Sequence, residues 1–327
     1  MLSLNRQMIK KQAHISIVIP LLNEEGNIQV LYDALLPVLD KISPDYEIIF
    51  VDDGSKDSSF ERISIICKQN NKVLGISLSR NFGHQIALTA GMEHASGSIV
   101  VTMDADMQHP PEVIPDLYKK YSEGYDIVNT IRTETADSGA FKKVTSSWFY
   151  KIINNLSDIH IEPSAADFRL MNRKTVDAFL QLKEKDRFTR GLISWMGFKQ
   201  AMVPYIAPSR FSGKSKYSIT KMFRFAADGI TSFSAKPLRI SFFAGLIVSF
   251  VGLLYSIYAV IEYFSGKTIP GWTSILVSIL IIGGIQLISI GIIGEYIARV
   301  FNEAKNRPMY LVKEYVSNDE NKGEKSN

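Results

Sequence analysis

Two apolar stretches near the C-terminus, residues 240–264 and 272–294, constrain this chain more than anything else in it. The first carries one charge, Glu262, close to its end, and the second carries none. Each is long enough to cross a hydrocarbon core of about 30 Å as a helix. A segment in lipid must satisfy its own backbone, so helices are expected. The alternative is a pair of buried core helices. The link 265–271 is too short for a domain and holds one basic residue, Lys267. Lys236 and Arg239 precede the pair, and Arg299, Lys305 and Arg307 follow it. Basic residues gather on the cytoplasmic side of a membrane, which places the N-terminal part and the tail there, around a short external hairpin. Gly283, Gly284, Gly291 and Gly294 allow close helix packing. Tyr263 and Trp272 stand where interface anchors are found.

The approach to this region is basic and amphipathic. Arg210, Gly213, Lys214, Lys216 and Tyr217 belong to a glycine-containing basic loop. Ile219, Met222, Phe223, Ala226, Ile230 and Phe233 then recur at helical spacing, with Lys221 and Arg224 between them. Alone, such a helix suits the face of a domain core. Just before a membrane segment, it suits the lipid interface.

The first part of the chain has a different rhythm. β-prone runs at 15–20, 47–51, 73–78, 98–103 and 126–131 alternate with helical patterns at 26–39, 58–69 and 85–95. That alternation argues for a doubly wound α/β sheet with right-handed crossovers. Further on, 142–155 is helical and carries Trp148, 167–171 is strand-like, and 174–182 is helical. Ligands of such sheets bind beyond the carboxyl ends of the strands. Polar clusters fall at those ends: 23–25, 52–57, 80–81 and 104–108. The single cysteine, Cys67, excludes an intramolecular disulfide and a cysteine-based zinc site, and suits a small core position. Residues 1–14 are polar and basic, without the apolar core of a secretory signal. The end of the tail, 317–327, has the composition of a disordered segment.

The run at 98–103 ends in Asp104 and Asp106, with Gln108 beyond and Pro110-Pro111 stopping the strand. Residues i and i+2 of a strand share a side, so the two carboxylates can converge. Two hard oxygen donors beside an amide oxygen suit Mg²⁺ or Mn²⁺, which keeps positions open for substrate phosphates. An isolated Asp-x-Asp fits a solvated acidic loop equally well. Asp52 and Asp57 also suit turn and cap chemistry, and the second favours it. Arg80 suits a phosphate contact or a surface ion pair. His84 reads as a packed or surface histidine.

Taken in order, Ile17 to Glu24, Val51 to Asp57, Arg80-Asn81-Phe82-Gly83 and Met103 to Gln108 resemble the inverting family-2 glycosyltransferases of GT-A fold. Asp167-Phe168-Arg169-Leu170, the basic loop from Arg210 and the two C-terminal spans narrow the resemblance. They are similar to the polyprenyl-phosphate glycosyltransferases, the dolichol-phosphate-mannose-synthase-like group, and within it the bactoprenol glucosyltransferases. Leu22 departs from the pattern, where many relatives have Tyr, and so does Ala166, where relatives often have Gly.

The resemblance implies a UDP-hexose donor, with UDP-glucose favoured and UDP-GlcNAc open. It implies a polyprenyl phosphate acceptor, undecaprenyl phosphate in a bacterial inner membrane, and inversion at the anomeric carbon. Pro20, Asn23, Glu24, Asp52, Asp53 and Arg80 would hold the nucleotide sugar, with Asp104. Asp104, Asp106 and Gln108 would hold the metal, which offsets charge on the departing diphosphate. Arg132, Arg210, Lys214 and Lys216 are candidates for the acceptor phosphate. Asp167 stands where the family places a general base. A phosphate monoester has its second pKa near 6, so the acceptor is largely a dianion at pH 7 and needs no proton removed. Asp167 is therefore expected to orient groups such as Arg169, or to stabilise the sugar cation.

The resulting map has a polar segment at 1–14 and a catalytic domain at 15–216. An interface helix follows at 217–237, a membrane hairpin at 238–300 and a cytoplasmic tail at 301–327. A homo-oligomer, up to a tetramer, and a downstream flippase and glycosyltransferase are expected partners, and no nucleic acid is. A processive polysaccharide synthase is the first rival, but the Gln-x-x-Arg-Trp run after the metal motif is missing. A non-catalytic membrane scaffold predicts loss of the acidic pair, which is present. A dinucleotide-dependent oxidoreductase needs a Gly-x-Gly-x-x-Gly fingerprint after the first strand, and there is none.

Overall fold

The computed structural model describes residues 14–133, 165–185, 187–208, 234–265 and 271–318. Described residues up to 208 and from 308 onward form one compact unit; those from 234 to 307 form another. The basic loop with Arg210, Lys214 and Lys216, the amphipathic stretch 219–233 and the helix expected at 142–155 lie outside the described residues.

The first unit is one mixed sheet. Its strands are β1 (Ile15–Leu21), β2 (Tyr46–Asp52), β3 (Val73–Leu78), β4 (Ile99–Thr102), β5 (Ile127–Thr133), β6 (Ala165–Asn172), β7 (Gln200–Ile206) and β8 (Val312–Val316). They lie in the order β7-β5-β6-β4-β1-β2-β3-β8. β1 to β4 pair in parallel, as the alternation predicts. Every residue of β1 and β2 is buried, so both are mainly apolar, and the buried polar pair Ser16 and Glu47 is satisfied by a bond from Ser16 Oγ to Glu47 Oε1 at 2.6 Å.

Helices α1 (Ile28–Ile42), α2 (Ser59–Gln69), α3 (His84–His94) and α4 (Ile114–Ser122) follow the first four strands. Ile28, Leu31, Leu35 and Leu39 of α1 form one helical face and join Ile17, Ile19 and Phe50 in the core. α3 packs on β1 and β2 through Gly91, where a Cβ would collide with Val18 and stand 3.0 Å from Val51. Two further helices, α5 (Arg173–Gln181) and α6 (Thr189–Trp195), complete the described part of this unit.

Two strands depart from a simple parallel winding. β6 runs antiparallel between β4 and β5. Its first residues therefore reach the edge where β4 ends, with Thr102 opposite Arg169. β8 comes from the segment read as tail and adds antiparallel to β3. Ser79 N donates to Leu311 O at 2.8 Å, and Tyr310 Oη donates to Glu93 Oε2 at 2.7 Å.

The second unit is a helical pair, α7 (Lys236–Phe264) and α8 (Trp272–Ala304). Both are long and apolar enough to cross a membrane. α7 begins before its apolar stretch and ends with it, and α8 begins with its stretch and ends after it. At 1.5 Å per residue they measure about 43 and about 50 Å, so their charged ends pass beyond a hydrocarbon core. Phe242, Leu246, Phe250 and Leu287 are exposed along them. Tyr296 Oη donates to Ser234 O at 2.6 Å.

Candidate active site

The parallel strands end around a pocket of about 290 Å³, walled in part by Pro20, Glu24, Asp53, His84, Asp104 and Asp106. Its rim is stitched by reciprocal hydrogen bonds between the loops after β1 and β2. Asn23 N donates to Ser55 Oγ at 2.8 Å, and Lys56 N returns a bond to Asn23 Oδ1 at 2.8 Å. Glu24 N donates to Ser59 Oγ at 2.9 Å, and Ser58 N to Glu25 Oε2 at 3.0 Å. Asn23 reaches this position with φ of 56°, a backbone state Asn tolerates.

The acidic pair after β2 divides its work. Asp52 is 2 % exposed and accepts from Ser55 N and Ser77 Oγ, so it holds the turn and does not line the pocket. Asp53 lines the pocket and accepts from Phe82 N at 2.7 Å and Gly83 N at 2.9 Å. Burial raises its pKa, and the two amides partly offset that. Asp53 thus ties the β3–α3 loop to the pocket. Gly54 makes the approach possible: its φ is 75°, and a Cβ would stand 2.7 Å from the Arg80 carbonyl carbon. Asp57 accepts from Ser59 N and Glu25 N, as turn chemistry asks.

Asp104 is the most engaged of the expected residues. His84 Nε2 lies 2.8 Å from its Oδ1. Its backbone N–H donates to His109 Nδ1 at 2.9 Å, so that ring acts as an acceptor here. Burial opposes ionisation of Asp104, but the imidazole surroundings, with His84 hydrogen-bonded to its Oδ1, outweigh burial and its pKa is lowered. Burial also works against charge on His84, yet Asp104 pushes its pKa up to about 9. Asp106 shares the pocket wall and accepts from Gln108 N at 3.1 Å, while the Gln108 side chain does not line it. Among the described residues no group of three His, Cys, Asp or Glu is placed to hold a metal. Two carboxylates on one wall still fit Mg²⁺ or Mn²⁺, because such ions take remaining ligands from water and substrate phosphate.

Asp167 opens β6 beside this wall. Its Oδ1 accepts from Arg169 Nη2 at 2.8 Å and Arg190 Nε at 3.2 Å. Its Oδ2 accepts from Arg190 Nη2 and Gln85 Nε2, each at 3.4 Å. Burial raises its pKa, but the two guanidiniums overcome this and hold the carboxyl well below the usual range. Burial lowers the Arg169 pKa to about 10, so it stays charged at neutral pH. Asp167 is thus held as an anion between two guanidiniums.

Of the other expected residues, Arg132 lies in β5 opposite Tyr205 of β7. Arg80 stands outside the pocket wall, donating to Asn81 O and lying 4.0 Å over the Phe82 ring. Four residues near the site were not expected there: His84, His109, Arg190 and Tyr205. His109 stacks on Phe168 at 5.2 Å, and Tyr205 meets both rings edge-on.

A glycosyl transferase family 2 profile matches residues 16–180. The uncharacterised glycosyltransferase YkcC of Bacillus subtilis is 46 % identical over 91 % of this chain and 92 % of its own length. The chain belongs to glycosyltransferase family 2. This family-2 chain also matches a "GtrB C-terminal hairpin" profile over 236–300, which spans most of α7 and α8. The SfII prophage-derived bactoprenol glucosyl transferase of Shigella flexneri is 41 % identical to it, over 91 % of this chain and 97 % of that protein. A solved glucosyl-3-phosphoglycerate synthase of Mycobacterium tuberculosis overlaps at a TM-score of 0.44 and 20 % identity, covering 67 % of this chain and 78 % of that one. That likeness is too distant to carry substrate or metal across.

Proposed function

We propose that the protein transfers a hexose from a UDP-sugar, UDP-glucose first among them, to polyprenyl phosphate at the cytoplasmic face of a bacterial inner membrane. The reading is supported by one combination: a pocket edged by Asp53, Asp104 and Asp106 in a chain that is 41 % identical to a bactoprenol glucosyl transferase over 91 % of its length and matches the hairpin profile.

In this reading the stitched rim and Pro20, Glu24 and Asp53 take the nucleoside. Asp104 and Asp106 would hold a divalent cation, which when bound neutralises the diphosphate and makes it a better leaving group. An acceptor phosphate oxygen forms the new bond to the anomeric carbon from the opposite face. The bond to the UDP oxygen breaks, and UDP leaves with the electron pair, inverting the centre. The dianionic acceptor needs no base. Asp167 instead fixes its guanidinium partners. The exposed apolar faces of α7 and α8 suit burial in lipid.

The test is radiolabel transfer by membranes containing the full chain, with undecaprenyl phosphate and a panel of nucleotide sugars. Label should enter the lipid fraction from UDP-glucose, be lost in EDTA and return with Mg²⁺ or Mn²⁺. No lipid label from any donor would reject the reading.

A further inference from the structure

Arg190 lies outside both stretches that the family profiles match, 16–180 and 236–300. It nevertheless holds Asp167 side-on, with Nε 3.2 Å from Oδ1 and Nη2 3.4 Å from Oδ2. The two arginines on this carboxylate are not equivalent. The Arg169 side chain is 2 % exposed, and its Nη2 also donates to Ala166 O at 3.0 Å. The Arg190 side chain is 26 % exposed. Of the two guanidiniums that hold this carboxylate, that of Arg190 is the more accessible.

The position of Arg190 is set from below. Arg187, itself 7 % exposed, donates from Nε to Glu184 O at 3.2 Å and from Nη1 to Thr89 Oγ1 at 3.4 Å. It also donates to Leu182 O and lies 4.8 Å over the Phe179 ring. The start of α6 is thereby tied to α3, the helix whose first residues touch Asp104 and Asp167. Tyr205 marks the neighbourhood. Its hydroxyl is pushed up to about 12, by burial first, while Arg132, Asp104, Asp106 and Arg190 all act on it. Contacts link Arg190 to the pocket wall: Asp167, which it holds, also accepts from Gln85, and the preceding residue His84 contacts Asp104.

We propose that Arg190 binds a phosphate oxyanion of the substrates and that Asp167 is the positioning residue that holds it there. This rests on the transferase reading above. A planar guanidinium anchored by a carboxylate on one side is suited to phosphate. Two sources offer that chemistry, the diphosphate of the donor and the monoester of the acceptor.

The experiment uses the full chain with Arg190→Ala, Arg190→Lys and Asp167→Asn. It measures KM for UDP-glucose and for undecaprenyl phosphate, and UDP affinity by calorimetry. Arg190→Ala should raise one KM roughly 10- to 100-fold, the scale of a lost charged hydrogen bond. Arg190→Lys should recover part of it, and added guanidinium ion should partly rescue Arg190→Ala. Asp167→Asn should move the same KM in the same direction. A raised acceptor KM with UDP affinity intact assigns the acceptor phosphate; weakened UDP affinity assigns the donor diphosphate. Unchanged KM values and UDP affinity, or losses that only follow the melting temperature, overturn the proposal. If the wild type transfers from no donor, the transferase reading falls separately. UDP and inorganic phosphate binding to wild type and Arg190→Ala then decides the role of Arg190, with equal affinities rejecting it.

Discussion

Asp53 spends both carboxylate oxygens on backbone amides and still forms part of the pocket wall. An asparagine there keeps one acceptor oxygen and turns an NH₂ group toward an N–H. Asp53→Asn should cost about 1–3 kcal/mol of stability and weaken UDP binding, because the loop at 81–83 loses its tie. Calorimetry and a thermal melt check this, and unchanged values in both would refute it. Asp167 makes a second prediction, in pH. Its folded pKa is depressed, so its stabilising contribution is present above the unfolded value of about 3.9 and fades as pH falls below it. The melting-temperature gap between wild type and Asp167→Asn should be wide at pH 7 and close on acidification below about pH 4. A gap independent of pH would contradict the charged role. At this scale Asp53, Asp104 and Asp106 were legible because carboxylates at strand ends are a chemical signal in themselves, whereas Asp167, near the start of its strand, was singled out through the family resemblance. Arg190 and Tyr205 carry no such signal, since their place depends on how α6 and β7 pack. His84 read as a packed or surface residue, and only the fold brings it to Asp104.

α3 links the chemistry to the sheet. Its first turn touches Asp104 and Asp167, and Gly91 near its other end sets its height over β1 and β2. Gly91→Ala inserts a methyl group against Val18 and Val51, and overpacking of this kind costs about 1–3 kcal/mol. The loss should appear in the melt, with His84 and Gln85 displaced and transfer reduced; an unchanged melt would show that the helix can rise freely. The central strands and their helices were legible because a buried parallel strand is mostly apolar and alternates with helical patterns. The direction of β6 was not, because strand polarity is decided by tertiary pairing. β7 was missed because Pro204 speaks against a strand, although an edge strand tolerates it. α6 has only seven residues, too few for a periodic pattern. β8 sits in a charged tail and gains its structure by closing the open edge of β3.

For the whole molecule, the two apolar stretches made the helical pair legible, and charge on their flanks makes its orientation testable. Cys67 makes the test simple. It is the chain's single cysteine and is 0 % exposed, and burial pushes its thiol up to about 12. Maleimides react with the thiolate, so the native protein should stay unlabelled at pH 7. New cysteines can then be read against a silent background. With basic residues at both outer flanks and only Lys267 in the link, Lys267→Cys should react with a membrane-impermeant maleimide in intact spheroplasts. Ser317→Cys, just past β8, should react only after permeabilisation. β8 pairs with β3 of the sheet, so tail and sheet must lie on one side, and a single cytoplasmic label reports on both. Labelling of Ser317→Cys from outside, with Lys267→Cys protected, would invert the arrangement. It would also put the nucleotide pocket away from the UDP-sugars of the cytoplasm, and the proposed donor would fall with it.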